Sequence, residues 1–134
     1  MDTTLNAHSG VDGPRLLLRF EGMALFLLAT LAFAYIGLSW WFYAILFLAP
    51  DLSFAAYTAG PKAGAIAYNA LHSTLGPAAL VGLGLAVDLS TLLALAAIWA
   101  AHIGFDRMLG YGLKYASGFN DTHLGRIGLK SAGS

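Results

Sequence analysis

Four ionisable residues in apolar surroundings have the chemistry to bind a metal ion: Asp51, His72, His102 and Asp106. His102 and Asp106 are four residues apart, so on a helix their side chains lie on one face, one turn from each other. Neutral imidazole and carboxylate oxygen are suitable ligands for Zn²⁺, Fe²⁺ or Mn²⁺. Because ionisable side chains are costly within apolar segments, they call for a functional reason. The sequence therefore predicts a divalent metal site.

Further residues extend this predicted site. Tyr68 and Asn69 precede His72 by four and three residues, so they share its helical face and are expected to orient it by hydrogen bonding. A catalytic metal needs about three protein ligands and an open position. Glu21, or Asp51 if it is not a ligand, is the expected general base.

Each residue also has a purely structural explanation. A histidine within an apolar helix commonly hydrogen-bonds to a neighbouring helix, and Asp106 can pair with the adjacent Arg107. Asp51 follows Pro50 and can cap the helix that begins there. We favour a shared cluster because the residues fall at a matched depth, as shown below.

The composition is that of an integral membrane protein. Of the 134 residues, 58% are hydrophobic and 10% are charged, where soluble domains have about 25% charged residues. The net charge of zero excludes the basic surface of a nucleic-acid-binding protein. The absence of cysteine excludes disulfides, thiolate ligands and thiol nucleophiles.

The predicted fold is an all-α membrane protein, a compact bundle of four transmembrane helices. A span needs about 20 residues, and four apolar segments approach that length: 16–36, 40–58, 63–87 and 91–109. The second helix is short or kinked at Pro50, and three spans are the alternative if it does not cross. We expect the third to kink near Pro77. The chain thus divides into a polar N-terminal tail (1–14), a four-span membrane domain (15–110) and a C-terminal tail (111–134).

The basic residues predict the orientation. With four crossings, all of them fall on one side of the membrane: Arg15, Arg19, Lys62, Arg107, Lys114, Arg126 and Lys130. By the positive-inside rule this side is the cytoplasm, so both termini are expected there. At a rise of about 1.5 Å per residue, His72 lies about 14 Å deep from that side. Glu21, Asp51, His102 and Asp106 lie nearer the same face, so five ionisable groups share the cytoplasmic half.

The chain also resembles a known family. Six segments carry the resemblance: LLRFEG at 17–22, LAPDLS at 48–53, YNALH at 68–72, HIGFDR at 102–107, GYGLKY at 110–115 and DTHLGR at 121–126. In this order they are similar to the small bacterial integral membrane proteins grouped as DUF4260, which implies a multi-pass protein of the bacterial inner membrane. A looser similarity links the chain to the membrane-bound metal-dependent hydrolases of the YdjM type.

Three functions of different classes follow as hypotheses. The first is a metal-dependent hydrolase that acts on a lipid or amphipathic substrate from the cytoplasmic leaflet. The second is a non-catalytic accessory subunit of a larger respiratory or photosynthetic membrane complex, in which a histidine could hold a haem or chlorin. The third is a small transporter or proton relay. The expected partners are the lipid bilayer and either a second copy of the chain or a larger complex, with no nucleic acid.

Overall fold

The computed structural model describes residues 13–113 and the backbone of residues 121–122 and 125–126. Within this part lie five α-helices: α1 Gly13–Ile36, α2 Trp40–Phe47, α3 Pro61–His72, α4 Leu75–Ala86 and α5 Ser90–Met108. A 3₁₀ segment, Ala49–Ala59, joins α2 to α3. Strands β1 Asp121–Thr122 and β2 Gly125–Arg126 form a short antiparallel pair. The predicted helical class is confirmed, whereas most of the two predicted tails lies outside the described residues.

Helices α1 and α5 pack with their backbones in contact. A Cβ atom built on Gly22 would lie 2.8 Å from the carbonyl oxygen of Gly104, and one built on Gly104 would lie 2.7 Å from that of Gly22. Neither position has room for a side chain, as is common where membrane helices pack closely. Arg19 Nε donates a hydrogen bond to the carbonyl of Met108 at 2.9 Å. These contacts fix the polar end of α5 against α1.

The apolar core lies between α1, α2 and the middle of α5. Phe33 is fully buried against Ala94 and Ile98 of α5. The hydroxyl groups of Thr30 and Tyr43 are 2.7 Å apart and hydrogen-bond α1 to α2. The short helix α2 is therefore held on the same two helices that carry the core.

The predicted third helix is two helices in the structure. Helix α3 ends at His72, and Ser73 adopts an extended conformation with φ −83° and ψ 144°. Pro77 explains this position, because proline lacks an amide hydrogen and its ring collides with a helical carbonyl four residues earlier. Pro77 itself lies in the first turn of α4, where proline is tolerated, and Ser73 Oγ accepts from the amide of Leu75. The interruption thus lies four residues before the proline instead of at it.

The 3₁₀ segment and α3 form a hairpin around Gly60. Gly60 has a φ of 116°, which favours glycine. Across the hairpin, Phe54 stacks on Tyr68 with ring centroids 5.4 Å apart. Because the two arms run in opposite directions, the start of the first arm returns to the end of the second. Asp51 and His72 are therefore neighbours.

Two helical segments are long and apolar enough to cross a membrane, Gly13–Ile36 and Trp40–Ala59. The second joins α2 to the 3₁₀ segment, so the predicted interruption near Pro50 is present: α2 ends at Phe47. Helix α4 is apolar but has 12 residues. Of the four predicted spans, two meet the criteria of length and composition in the part of the chain that the structure describes.

Candidate metal centre

The structure brings together the four residues Asp51, His72, His102 and Asp106, here called the His/Asp cluster. One ligand atom from each lies within 4.8 Å of all the others. The Nε2 atoms of the two histidines are 3.1 Å apart. His72 Nε2 lies 3.4 Å from an oxygen of each carboxylate, and His102 Nε2 lies 3.2 Å from Asp51 Oδ1 and 3.3 Å from Asp106 Oδ2.

These distances fit a tetrahedral metal site. Zinc bonds of about 2.0–2.2 Å to nitrogen and oxygen place neighbouring ligand atoms about 3.3–3.6 Å apart in a tetrahedron. Five of the six separations within the His/Asp cluster are between 3.1 and 3.4 Å. The sixth, between the oxygens of the two carboxylates, is at most 4.8 Å.

Tyr68 fixes the orientation of His72. The backbone carbonyl of Tyr68 can only accept, so His72 Nδ1, 2.9 Å away, carries the proton. In the neutral ring Nε2 is then the lone-pair atom, and it points into the His/Asp cluster. The two rings also stack, with centroids 3.7 Å apart and planes 9° apart. A hydrogen bond of this kind is typical of metal-ligating histidines, because it sets both the tautomer and the ring direction.

His102 is held by α5 and by an aromatic ring. The Phe47 ring meets its imidazole edge-on, with centroids 5.2 Å apart. Its Nδ1 is buried and has no hydrogen-bond partner among the described residues. Because His72 Nε2 carries a lone pair, the short distance between the two Nε2 atoms requires a proton or a cation between them. A metal ion would satisfy both nitrogens and both carboxylates at once.

The His/Asp cluster has a closed side and an open side. The histidine side chains are 3% and 2% exposed, whereas those of Asp51 and Asp106 are 39% and 17% exposed. A bound ion would therefore be approached past the carboxylates, of which Asp51 is the more exposed. An accessible side of this kind would leave room for water or another molecule at a bound ion.

Two further contacts hold the cluster together and were not predicted. Trp99 Nε1 donates to the backbone carbonyl of Leu71, which ties α5 to the last turn of α3. Ser53 Oγ donates to the carbonyl of Pro50 at 2.8 Å and shapes the turn that carries Asp51. Trp99 lies three residues before His102, so it shares the helical face of His102 and Asp106. This spacing is the sequence signal that identifies Trp99 as a neighbour of the site.

Glu21 and Asn69, also predicted for the site, are not among the four residues that converge. Glu21 is exposed on α1, and its charge acts on Arg107. Asn69 accepts the amide of Ser73 through its backbone carbonyl at 2.9 Å, at the point where α3 ends. The predicted roles of Glu21 and of the Asn69 side chain stay predictions. His8 and His123, which the sequence places in the polar tails without a predicted role, lie outside the described residues.

Comparisons with known proteins give one match. A family model described as a domain of unknown function, DUF4260, matches residues 15–127. This range holds the whole His/Asp cluster and all the helices except the first two residues of α1. Among curated proteins and solved structures, none matches significantly. The predicted resemblance to this family is confirmed, and the looser similarity to YdjM-type hydrolases stays a prediction.

Proposed function

The chain belongs to the DUF4260 family, and we propose that it is an integral membrane protein that binds one divalent metal ion and hydrolyses a lipid or other amphipathic substrate. The proposal rests above all on two imidazole nitrogens and two carboxylate oxygens that converge at tetrahedral spacing. Zn²⁺ suits this geometry and ligand set best, and Fe²⁺ and Mn²⁺ accept the same ligands.

Exposed apolar surface supports the membrane setting. Leu28 and Leu31 on α1 are 66% and 64% exposed, and Leu52 on the 3₁₀ segment is 76% exposed. Large exposed apolar surfaces need a partner, and a bilayer supplies one along the whole helix length. In this proposal α2 with the 3₁₀ segment forms one crossing and α3 with α4 forms another, which gives four spans.

The distribution of charge supports the orientation. Arg19 contacts the carbonyl of Met108, so the basic ends of α1 and α5 lie together. Lys62 lies at the turn of the hairpin, directly after Gly60-Pro61. Placing these residues in the cytoplasm satisfies the positive-inside rule and puts both termini there, in a multi-pass protein of the bacterial inner membrane.

The chain's own residues then take separate roles. A bound divalent ion would lower the pKa of its water to near neutral, and it would polarise a carbonyl or phosphoryl oxygen of the substrate. His72, His102 and Asp106 would hold the ion, since three ligands suffice at a catalytic zinc. Asp51 is the most exposed of the four and accepts the proton of the attacking water. Water adds across an ester or phosphoester bond, and an acid and an alcohol leave.

A metal-ion or proton transporter is the second candidate. The observation that favours it is the position of the His/Asp cluster at two helix interruptions, after α2 and after α3. Ion sites of transporters commonly lie at such discontinuous helices. The role of accessory subunit in a larger complex stays a prediction, without a structural observation that favours it.

One pair of assays tests the two candidates. Purified protein with added Zn²⁺ is incubated with vesicles of phosphatidylethanolamine and phosphatidylglycerol, and products are followed by mass spectrometry. Hydrolysis by the wild type and by the control His8→Ala, with loss in His102→Ala, supports the hydrolase. If the lipids stay intact and the protein carries Zn²⁺ or protons into liposomes, the hydrolase proposal is wrong and the transporter is supported.

A further inference from the structure

An apolar cavity of about 290 Å³ lies beside the His/Asp cluster. Its wall combines residues from α2 to α5, among them Ala49, Pro50, Leu71, Leu95, Ile98 and Trp99. The polar nitrogen of Trp99 already donates to the Leu71 carbonyl, so its hydrogen-bonding capacity is used within the protein. A molecule in the cavity would therefore contact hydrocarbon side chains and an aromatic ring.

The wall of this cavity continues directly into the cluster. Pro50 and Leu71 are the residues immediately before Asp51 and His72. On α5, Ile98 precedes His102 by one helical turn on the same face, a rise of about 6 Å. A molecule in the cavity would thus lie within one turn of the metal ligands.

We propose that the cavity binds a single aliphatic chain of an amphipathic molecule whose polar group lies at the His/Asp cluster. This inference rests on the proposed function and specifies its substrate. Cavities that bind small molecules measure about 300–1,000 Å³, so a volume at the lower limit suits one chain and not two. The apolar wall excludes a charged or sugar-like group from this part of the substrate.

Trp99 allows this binding to be measured directly. The chain has three tryptophans, and replacing two of them, Trp40→Phe and Trp41→Phe, leaves Trp99 as the single fluorophore in the cavity wall. Purified protein in detergent is titrated with 12-bromododecanoic acid, whose bromine quenches tryptophan on contact. We expect saturable quenching that unbrominated dodecanoic acid reverses.

A matched pair of variants tests the location. Ala49→Phe fills the cavity and should raise the half-saturating concentration roughly tenfold or more, a loss of about 1.4 kcal/mol. Ala44→Phe adds the same ring on an exposed position of α2 outside the cavity wall and should leave it unchanged. Quenching that rises without saturation would overturn the inference. So would the same half-saturating concentration in Ala49→Phe and Ala44→Phe.

Metal analysis of the same samples separates this inference from the proposed function. Bound metal with unsaturable quenching overturns the chain site and leaves the metal centre standing. Saturable quenching without any bound metal supports the chain site and counts against the hydrolase. Ala49→Phe should keep its metal, because Ala49 contributes no ligand atom.

Discussion

The imidazole ring of His72 lies flat on the ring of Tyr68, and the backbone carbonyl of Tyr68 accepts its Nδ1 proton. Helix α3 thus supplies a ligand together with the residue that orients it. Tyr68→Ala removes the ring but keeps the carbonyl, and we expect metal affinity to fall about tenfold. Tyr68→Phe keeps the stacking and should bind as the wild type does. Competition with a chromophoric chelator measures both, and equal losses in the two variants would show that stacking is not the cause.

The two carboxylates should differ in function. Asp106→Asn removes a ligand held on α5 and should release most of the metal. Asp51→Asn should retain the metal within about tenfold but lower the hydrolysis rate by about 10²–10⁴, because the base is lost. Metal content and rate are measured on the same preparations. The reverse pattern would exchange the two roles, and full activity in Asp51→Asn would exclude it as the base.

Metal binding should stabilise the folded protein, because the ligands come from two separate helices, α3 and α5. At a Zn²⁺ concentration 100 times the dissociation constant, the gain is about 2.7 kcal/mol. Thermal unfolding in detergent should therefore shift upward with Zn²⁺ in the wild type and not in His72→Ala. An equal shift in both proteins would indicate binding elsewhere.

The backbone contact between α1 and α5 should be intolerant of a methyl group. Gly104→Ala would place Cβ 2.5 Å from the amide nitrogen of Phe26, and we expect a loss of about 1–3 kcal/mol. Gly82→Ala is the control, because nothing lies within 4 Å of its Cβ position on α4. Denaturation midpoints in detergent measure the difference. A Gly104→Ala protein as stable as the control would contradict the close packing.

The absence of cysteine makes the topology testable. In intact cells, a membrane-impermeant thiol reagent should label Asp88→Cys from outside and leave Lys62→Cys unlabelled until the cells are permeabilised. If the segment 40–58 does not cross, the pattern is reversed, because one crossing is removed before each of these positions.

The sequence predicted the membership of the His/Asp cluster better than the way in which it forms. His102 and Asp106 follow from helical spacing alone, since four residues span about one turn. The meeting of Asp51 and His72 depends on a hairpin whose 3₁₀ arm has no periodic signal, and on a break four residues before Pro77. Apolar patterning does not show such a break, because apolar residues continue on both sides of it.

Glu21 shows that the height of a residue along its helix does not predict which residues its side chain contacts. Counting residues along a helix gives height, whereas contact also requires that the side chain face the right way. Gly22 faces α5 at close range, and Glu21 is turned by about 100° from it on the helix. Its exposed position on α1 follows from that rotation.

The central claim is that the His/Asp cluster binds one metal ion, held by His72, His102 and Asp106. The most direct measurement is metal content by mass spectrometry, combined with X-ray absorption at the zinc edge, on protein purified in detergent. We predict about one zinc per chain, with two imidazoles and two oxygens at about 2.0–2.2 Å. The ion should be lost in His102→Ala and kept in His8→Ala. Wild-type protein without stoichiometric metal, or with a shell of six oxygens and no imidazole, would contradict the claim.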